Sequence, residues 1–328
     1  MNEVLPVDPQ VGRAEPILRQ LELAVTRRLD GLLQGDFEGL MPGAGTERGE
    51  GREYRPGDDV RRIDWNLTAR TSVPHVTDTI VDRELETWVV ADCSASLDFG
   101  TAGCEKRDLV LAAVAAMGFL TARAGNRLGA VLDATPAPVI HPARADRASL
   151  LALLRKLHAM PRATAVPPPD SPATLGRTLE MTARVAKRRG LVVVASDFLE
   201  DPDTWERPLR RLSTRHDVLA VEVVDPRELS LPAVGLLTLV DPETGGLLEV
   251  QTSNPKLRAR YDAAAAEQRS AIARSIRRGG AEHVQLRTDR DWVLDLVRFV
   301  RARRSRRMGA MHPTRDRAGV LTGGPVAR

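Results

Sequence analysis

From Thr87 onwards, short apolar runs alternate with segments of helical period. Trp88-Val89-Val90-Ala91, Leu128 to Leu132, Leu191 to Ala195 and Val218 to Val224 are near-continuous apolar runs bounded by polar residues, the pattern of strands buried on both faces. Between them, Lys106 to Arg123, Ala148 to Leu157, Leu175 to Arg188 and Trp205 to Leu212 predict helices, the first apolar enough to lie flat on a sheet. The proline-rich stretch Pro161 to Pro172 predicts a loop. Such alternation predicts a mostly parallel sheet with helices on both faces. Leu236 to Val240 and Leu247 to Val250 flank the turn residues Asp241 to Gly246 and predict a hairpin insertion. A long alanine- and arginine-rich helix follows at Pro255 to Arg278, then a short strand at His283 to Leu286. The last helix, Asp291 to Arg303, carries Trp292, Leu296, Phe299 and Val300 on one face.

The chain before Thr87 has a different texture. Ile17, Leu21, Val25, Leu29 and Leu32 predict a helix over Pro16 to Leu33, ended by Gly35. Gly39 to Gly51 reads as irregular. The block Arg52 to Thr71, REYRPGDDVRRIDWNLTART, is densely charged around Trp65. It is either a partner-recognition or catalytic surface, or an ion-pair network that pins the amino-terminal segment to the α/β domain with Trp65 as apolar anchor. The near balance of acids and bases, with no nucleophile and base pair, favours the network. The expected organisation is therefore 1–86 as an amino-terminal helix and polar segment packed on the core, 87–303 as the α/β domain with a hairpin insertion at 236–250, and 304–328 as a basic disordered tail.

Composition narrows the classes. A hydrophobic content of 42% over 328 residues supports a sizeable core. No run approaches the ~20 apolar residues of a membrane span. The opening residues carry Glu3 and Asp8 and no basic region, so no signal peptide is expected. Two cysteines, Cys93 and Cys104, build no disulfide framework, and no histidine sits close enough for a zinc site, so a reducing cytoplasm is expected. The net charge of +4 hides an asymmetry: the tail from Arg301 carries +7, which leaves the body at −3. Aromatic residues are 3% of the chain and none lies in the tail, so a specific nucleic-acid platform is not expected. Weak, salt-sensitive contacts with anions are the most that the tail predicts.

The sharpest chemical feature is Asp92-Cys93-Ser94-Ala95-Ser96, directly after the first strand of the α/β region. Ligands of open parallel sheets bind beyond the carboxyl ends of the strands. One carboxylate and two hydroxyls emerging there suit a hard cation such as Mg2+. Alone, the spacing more often describes a cap or turn than a metal site. Thr174, opening a helix, and Asp197, ending the valine-rich strand, stand at the corresponding ends of later elements. Asp92, Ser94, Ser96, Thr174 and Asp197 are therefore the candidate metal-site residues. Cys93 reads as a small buried residue and Asp98 as a turn or cap. Gly43 to Gly49 lacks the Lys-Ser/Thr of a P-loop, and neither G-x-S-x-G nor H-E-x-x-H occurs.

D-x-S-x-S, then a threonine opening a helix, then an aspartate after a later strand, resembles the metal-ion-dependent adhesion site of von Willebrand factor A domains. The block REYRPGDDVRRIDWNLTART followed by Asp92-Cys-Ser-Ala-Ser-Leu-Asp-Phe-Gly100 resembles the family catalogued as domain of unknown function 58, over roughly Gly35 to Val300. The resemblance implies a von Willebrand A-like (Rossmann-like) α/β fold and a site holding Mg2+ or Mn2+ through the five residues above. It also implies a bacterial setting beside a MoxR-type AAA+ ATPase. Many members carry membrane helices near the amino terminus, and this sequence resembles the shorter members without them.

Two functions compete for this site, the first supported by the resemblance. One is a metal-dependent protein-binding adaptor, working with a MoxR-type AAA+ ATPase or its client in the assembly or maturation of protein complexes. The other is a Mg2+- or Mn2+-dependent, phosphoesterase-like hydrolase using the same site. Few acids in the motif and no clustered histidines argue against the hydrolase.

Overall fold

In a computed structural model of the chain, the described residues are 48–54, 60, 63–79, 86–123, 125–134, 137–162, 174–240 and 245–311. The helix expected at Pro16 to Leu33 and the segment 312–328 lie outside them. Along the chain run β1 (Arg48–Glu53), α1 (Trp65–Thr71), β2 (His75–Thr79), β3 (Glu86–Asp92), α2 (Lys106–Arg123), β4 (Arg127–Asp133), β5 (Val139–Arg144), α3 (Arg147–His158), α4 (Thr174–Val185), β6 (Gly190–Ser196), α5 (Pro202–Ser213) and β7 (Asp217–Val224). Then follow β8 (Leu236–Val240), β9 (Leu247–Gln251), α6 (Pro255–Arg278), β10 (Glu282–Arg287) and α7 (Trp292–Met311).

The apolar runs become the centre of a six-stranded sheet in the order β10-β7-β6-β3-β4-β5. All neighbours are parallel except β4 and β5. Successive side chains on a strand point to opposite faces. Val89 and Ala91 accordingly pack with α2, α3 and α7, against Leu109, Leu153 and Val297. Trp88 and Val90 pack with α4, α5 and α6, against Leu175, Trp205 and Ile276. The helix α2 is apolar on nearly every side because it is buried in the core between the sheet and α3, a core to which α7 also contributes. The fold is of the expected α/β class: a mostly parallel sheet with helices on both faces.

Four features depart from the sequence reading. The edge strand β5 was not foreseen, because Pro142 interrupts it; an edge strand tolerates the missing donor. The stretch expected to be irregular up to Gly51 ends in β1, which pairs antiparallel with β2. Trp65 is no apolar anchor: it is 71% exposed, at the first position of a helix that buries no residue. The Asp64 side chain caps that helix by accepting from the backbone N–H groups of Asn66 and Leu67. Finally, α7 runs past the boundary expected at 303 to Met311. At that boundary Arg303 is not a tail residue: it is 3% exposed and lies 2.7 Å from Glu282 and 3.5 Å from Asp217. The insertion hairpin is present as a separate sheet of β8 and β9, with Leu236, Val240, Leu247 and Leu248 exposed.

Helices α4 and α5 approach so closely at Gly176 that a Cβ there would stand 2.3 Å from the Thr204 carbonyl oxygen. Backbone atoms cannot yield as a side-chain tip can. Gly176→Ala is expected to cost about 1–3 kcal/mol, as overpacking does, measured as a lower urea midpoint. An unchanged midpoint would show that the helices separate freely.

Candidate metal centre

The centre stands at the carboxyl end of β3. Asp92 is the last residue of that strand, and the chain then turns through a short 3-10 helix, Ala95–Leu97. The turn forms because Asp92 Oδ1 accepts from the Ser94 backbone N–H at 2.8 Å. It brings the Ser94 and Ser96 hydroxyl oxygens to 3.0 Å from each other. Asp92 Oδ2 accepts from the Ser196 hydroxyl, at the end of β6, at 2.5 Å. Cys93 is half-buried, and burial pushes its thiol well above the ordinary thiol range, so it is no ready nucleophile. Asp98 ends the turn and pairs with Arg107 at 2.8 Å.

Sheet order crowds carboxylates here. Asp133 ends β4 in register with Asp92 and accepts from the Thr178 hydroxyl at 2.9 Å. Asp197 follows β6. Asp92, Asp133 and Asp197 are all buried. Burial first, then the charges of Asp197 and Asp133, raise the Asp92 carboxyl to about 8, partly offset by the Ser196 and Ser94 hydrogen bonds. A carboxylate held under such pressure is one that a cation relieves.

Asp197 itself is otherwise engaged. Its Oδ2 accepts from the Lys106 ammonium at 2.7 Å and its Oδ1 from the Leu199 backbone N–H at 3.2 Å. Lys106 opens α2, is 1% exposed and also reaches Glu228. Burial alone would lower its pKa; the Asp197 and Glu228 carboxylates outweigh that and hold it above the ordinary lysine value. Of the five expected residues, Asp92, Ser94 and Ser96 thus share one turn. Asp197 lies close enough to act on Asp92, with its carboxylate bound to Lys106. Thr174 opens α4, and its side chain lies outside the described residues.

Sequence reasoning missed Asp133, Ser196, Lys106 and Glu228. Asp133 had a signal, since it ends its apolar run as Asp92 ends its own. Lys106, one of four lysines among 48 basic residues, had only its rarity. Among the described residues no three His, Cys, Asp or Glu side chains form a group that could hold a metal ion by themselves. A cation here therefore needs the serine hydroxyls. One carboxylate with two adjacent hydroxyls is chemically suited to a hard, partly hydrated divalent ion.

No helix among the described residues is long and apolar enough to cross a membrane. Among solved structures, the chain is similar to BatB from Bacteroides thetaiotaomicron, at 11% identity and a TM-score of 0.44, covering 69% of this chain and 99% of that one. It is also similar to the SpRpn10 VWA domain, at 12% identity and a TM-score of 0.36, covering 65% of this chain and 93% of that one. At such values neither likeness speaks to a ligand or partner. In sequence, it is 51% identical to the Mycobacterium tuberculosis protein named Uncharacterized protein Rv1480, over 90% of this chain and 91% of that protein. It is 44% identical to the Mycobacterium avium protein named Uncharacterized protein MAV169, over 50% of this chain and 93% of that one. The family described as Protein of unknown function DUF58 matches residues 50–271, and the chain belongs to that family.

Proposed function

We propose that the protein is a metal-dependent binding module whose contact point is the Asp92–Ser96 turn. One observation carries this reading: a buried carboxylate and two hydroxyls 3.0 Å apart at the carboxyl end of the central strand, crowded by two further aspartates. Asp92, Ser94 and Ser96 would hold Mg2+ or Mn2+, with Asp197 and Thr174 beside them. When bound, such an ion offers an open coordination position that an aspartate or glutamate of a partner protein can fill. The chain's own residues do the rest: the Asp92–Ser94 turn orients the hydroxyls, and Ser196 keeps the Asp92 carboxylate in place.

The partner proposed is a MoxR-type AAA+ ATPase or its protein client, and the role is that of an adaptor in assembly or maturation of complexes. The family resemblance in the Arg52–Thr71 block and the D-x-S-x-S turn supports this choice. In the test, the purified chain is immobilised and offered a MoxR-type ATPase from the same genome. Capture is expected in Mg2+ and lost with EDTA or on Asp92→Ala, by at least about tenfold, as removal of a charged ligand demands. Truncation after Met311, which keeps the buried Arg303, should leave it unchanged. Capture that survives both chelator and Asp92→Ala but falls with salt and with the truncation would replace the metal-bridged mode by an electrostatic one.

A further inference from the structure

Lys106 is the first residue of a helix whose middle is apolar, and it is 1% exposed. Burying an ammonium is costly unless its charge is matched. Here two acids match it: Asp197 Oδ2 at 2.7 Å and Glu228 Oε1 at 2.5 Å. Glu228 passes the contact on, its Oε2 lying 2.9 Å from Arg269 of α6. Arg269 in turn reaches Glu222 at 3.1 Å and donates to the Asp197 carbonyl at 3.2 Å. Asp197 is thereby held from both its carboxylate and its backbone by cationic side chains. The Asp92 carboxylate, by contrast, receives neutral donors: the Ser94 N–H and the Ser196 hydroxyl.

We propose that Lys106 is a resident counter-ion that sets the cation affinity of the Asp92 centre: by occupying Asp197 it keeps divalent binding weak, and removing its ammonium strengthens that binding. The inference rests on the reading of Asp92, Ser94 and Ser96 as a cation centre. Two effects act in one direction. The ammonium repels an arriving dication in a poorly screened interior. It also withholds a carboxylate that the dication would otherwise use. Through Glu228 and Arg269, the position of the ammonium is tied to α6, which follows the exposed β8–β9 hairpin in the chain.

The test uses the full chain and Mn2+ alone as probe, with free Mn2+ read by electron paramagnetic resonance. Lys106→Met is expected to bind Mn2+ at least about tenfold more tightly than wild type, and Lys106→Arg, which keeps the charge, to stay within about threefold of it. Mn2+ should also raise the melting temperature of Lys106→Met more than that of wild type, since the ion binds only the folded form tightly. If Lys106→Met does not fold, Lys106→Met with Glu228→Gln removes one acid together with the amine, and the same tightening is expected. A folded variant of either kind with wild-type or weaker Mn2+ affinity overturns the proposal. Asp92→Asn separates the two levels. If wild type binds Mn2+, Asp92→Asn does not, and Lys106→Met matches wild type, the counter-ion role falls while the centre stands. If neither wild type nor Lys106→Met binds Mn2+, the centre is wrong, and the role of Lys106 falls with it.

Discussion

In EDTA, wild-type protein is expected to lose stability as pH rises from about 4 to about 8, and Asp92→Asn is expected to abolish most of that loss. The sign follows from the direction of the shift. The folded state raises the Asp92 carboxyl from 3.8 to about 8, so folding favours the protonated acid. That contribution is fully present below the unfolded value and disappears as pH rises through the folded one. The span corresponds to a few kcal/mol, about 1.4 for each pH unit over which only the folded state keeps its proton. Asparagine keeps the shape and an oxygen to accept from Ser94, but has nothing to ionise. Urea denaturation of both proteins in EDTA, from about pH 5 to about pH 9, measures the difference. Parallel curves would show that burial and the neighbouring aspartates do not raise the Asp92 carboxyl. Added Mg2+ should lift the wild type at the alkaline end and leave Asp92→Asn unmoved, because the ion then matches the charge that burial penalises.

A second large effect is expected at Trp205. Its side chain is fully buried between α5 and the sheet, stacked edge-on against Phe198 with ring centroids 5.2 Å apart. Trp205→Ala should cost about 3–5 kcal/mol, the range for truncating a buried aromatic. The consequence is not confined to packing. Phe198 sits at φ +55, a left-handed conformation that a bulky residue holds only when its surroundings enforce it. The Trp205 indole N–H also donates to the Glu200 carbonyl at 3.1 Å, and the Glu200 side chain accepts from the Leu175 N–H at the start of α4. One side chain thus steadies the 197–201 segment that carries Asp197. Equilibrium denaturation gives the stability change; a loss below about 1 kcal/mol would mean that the segment repacks without the ring. Trp205→Phe should retain most of the stability and lose only the hydrogen bond and part of the packing.

The centre is only partly local, and its legibility divides along that line. Asp92, Ser94 and Ser96 lie within five positions, and their turn is made by hydrogen bonds within that span. A reader of the chain can find them because both the strand and the turn are short-range events. The pairing of Lys106 with Asp197 joins residues 91 positions apart, and that of Arg269 with Asp197 spans 72. No periodicity within a window encodes such a pair; it arises because sheet order sets β6 beside both β3 and β7, and because α2 starts within reach of Asp197.

The same reasoning separates the elements of the fold. The sequence by itself determined the buried strands β3, β4, β6 and β7, the helix α6 and the β8–β9 insertion, because apolar runs, helical spacing and turn residues act over a few positions. Only the tertiary structure decided that a segment containing Pro142 could close the sheet, since that depends on its standing at an edge where one missing donor is tolerated. It likewise decided that Trp65 faces outward, that α7 continues through Arg303 to meet Asp217 and Glu282, and that the aspartate read as a metal ligand already holds a lysine. In each case the outcome depends on which distant group supplies or withholds a partner. That is a property of the assembled layers, because burial and charge pairing are settled only when the neighbours are in place.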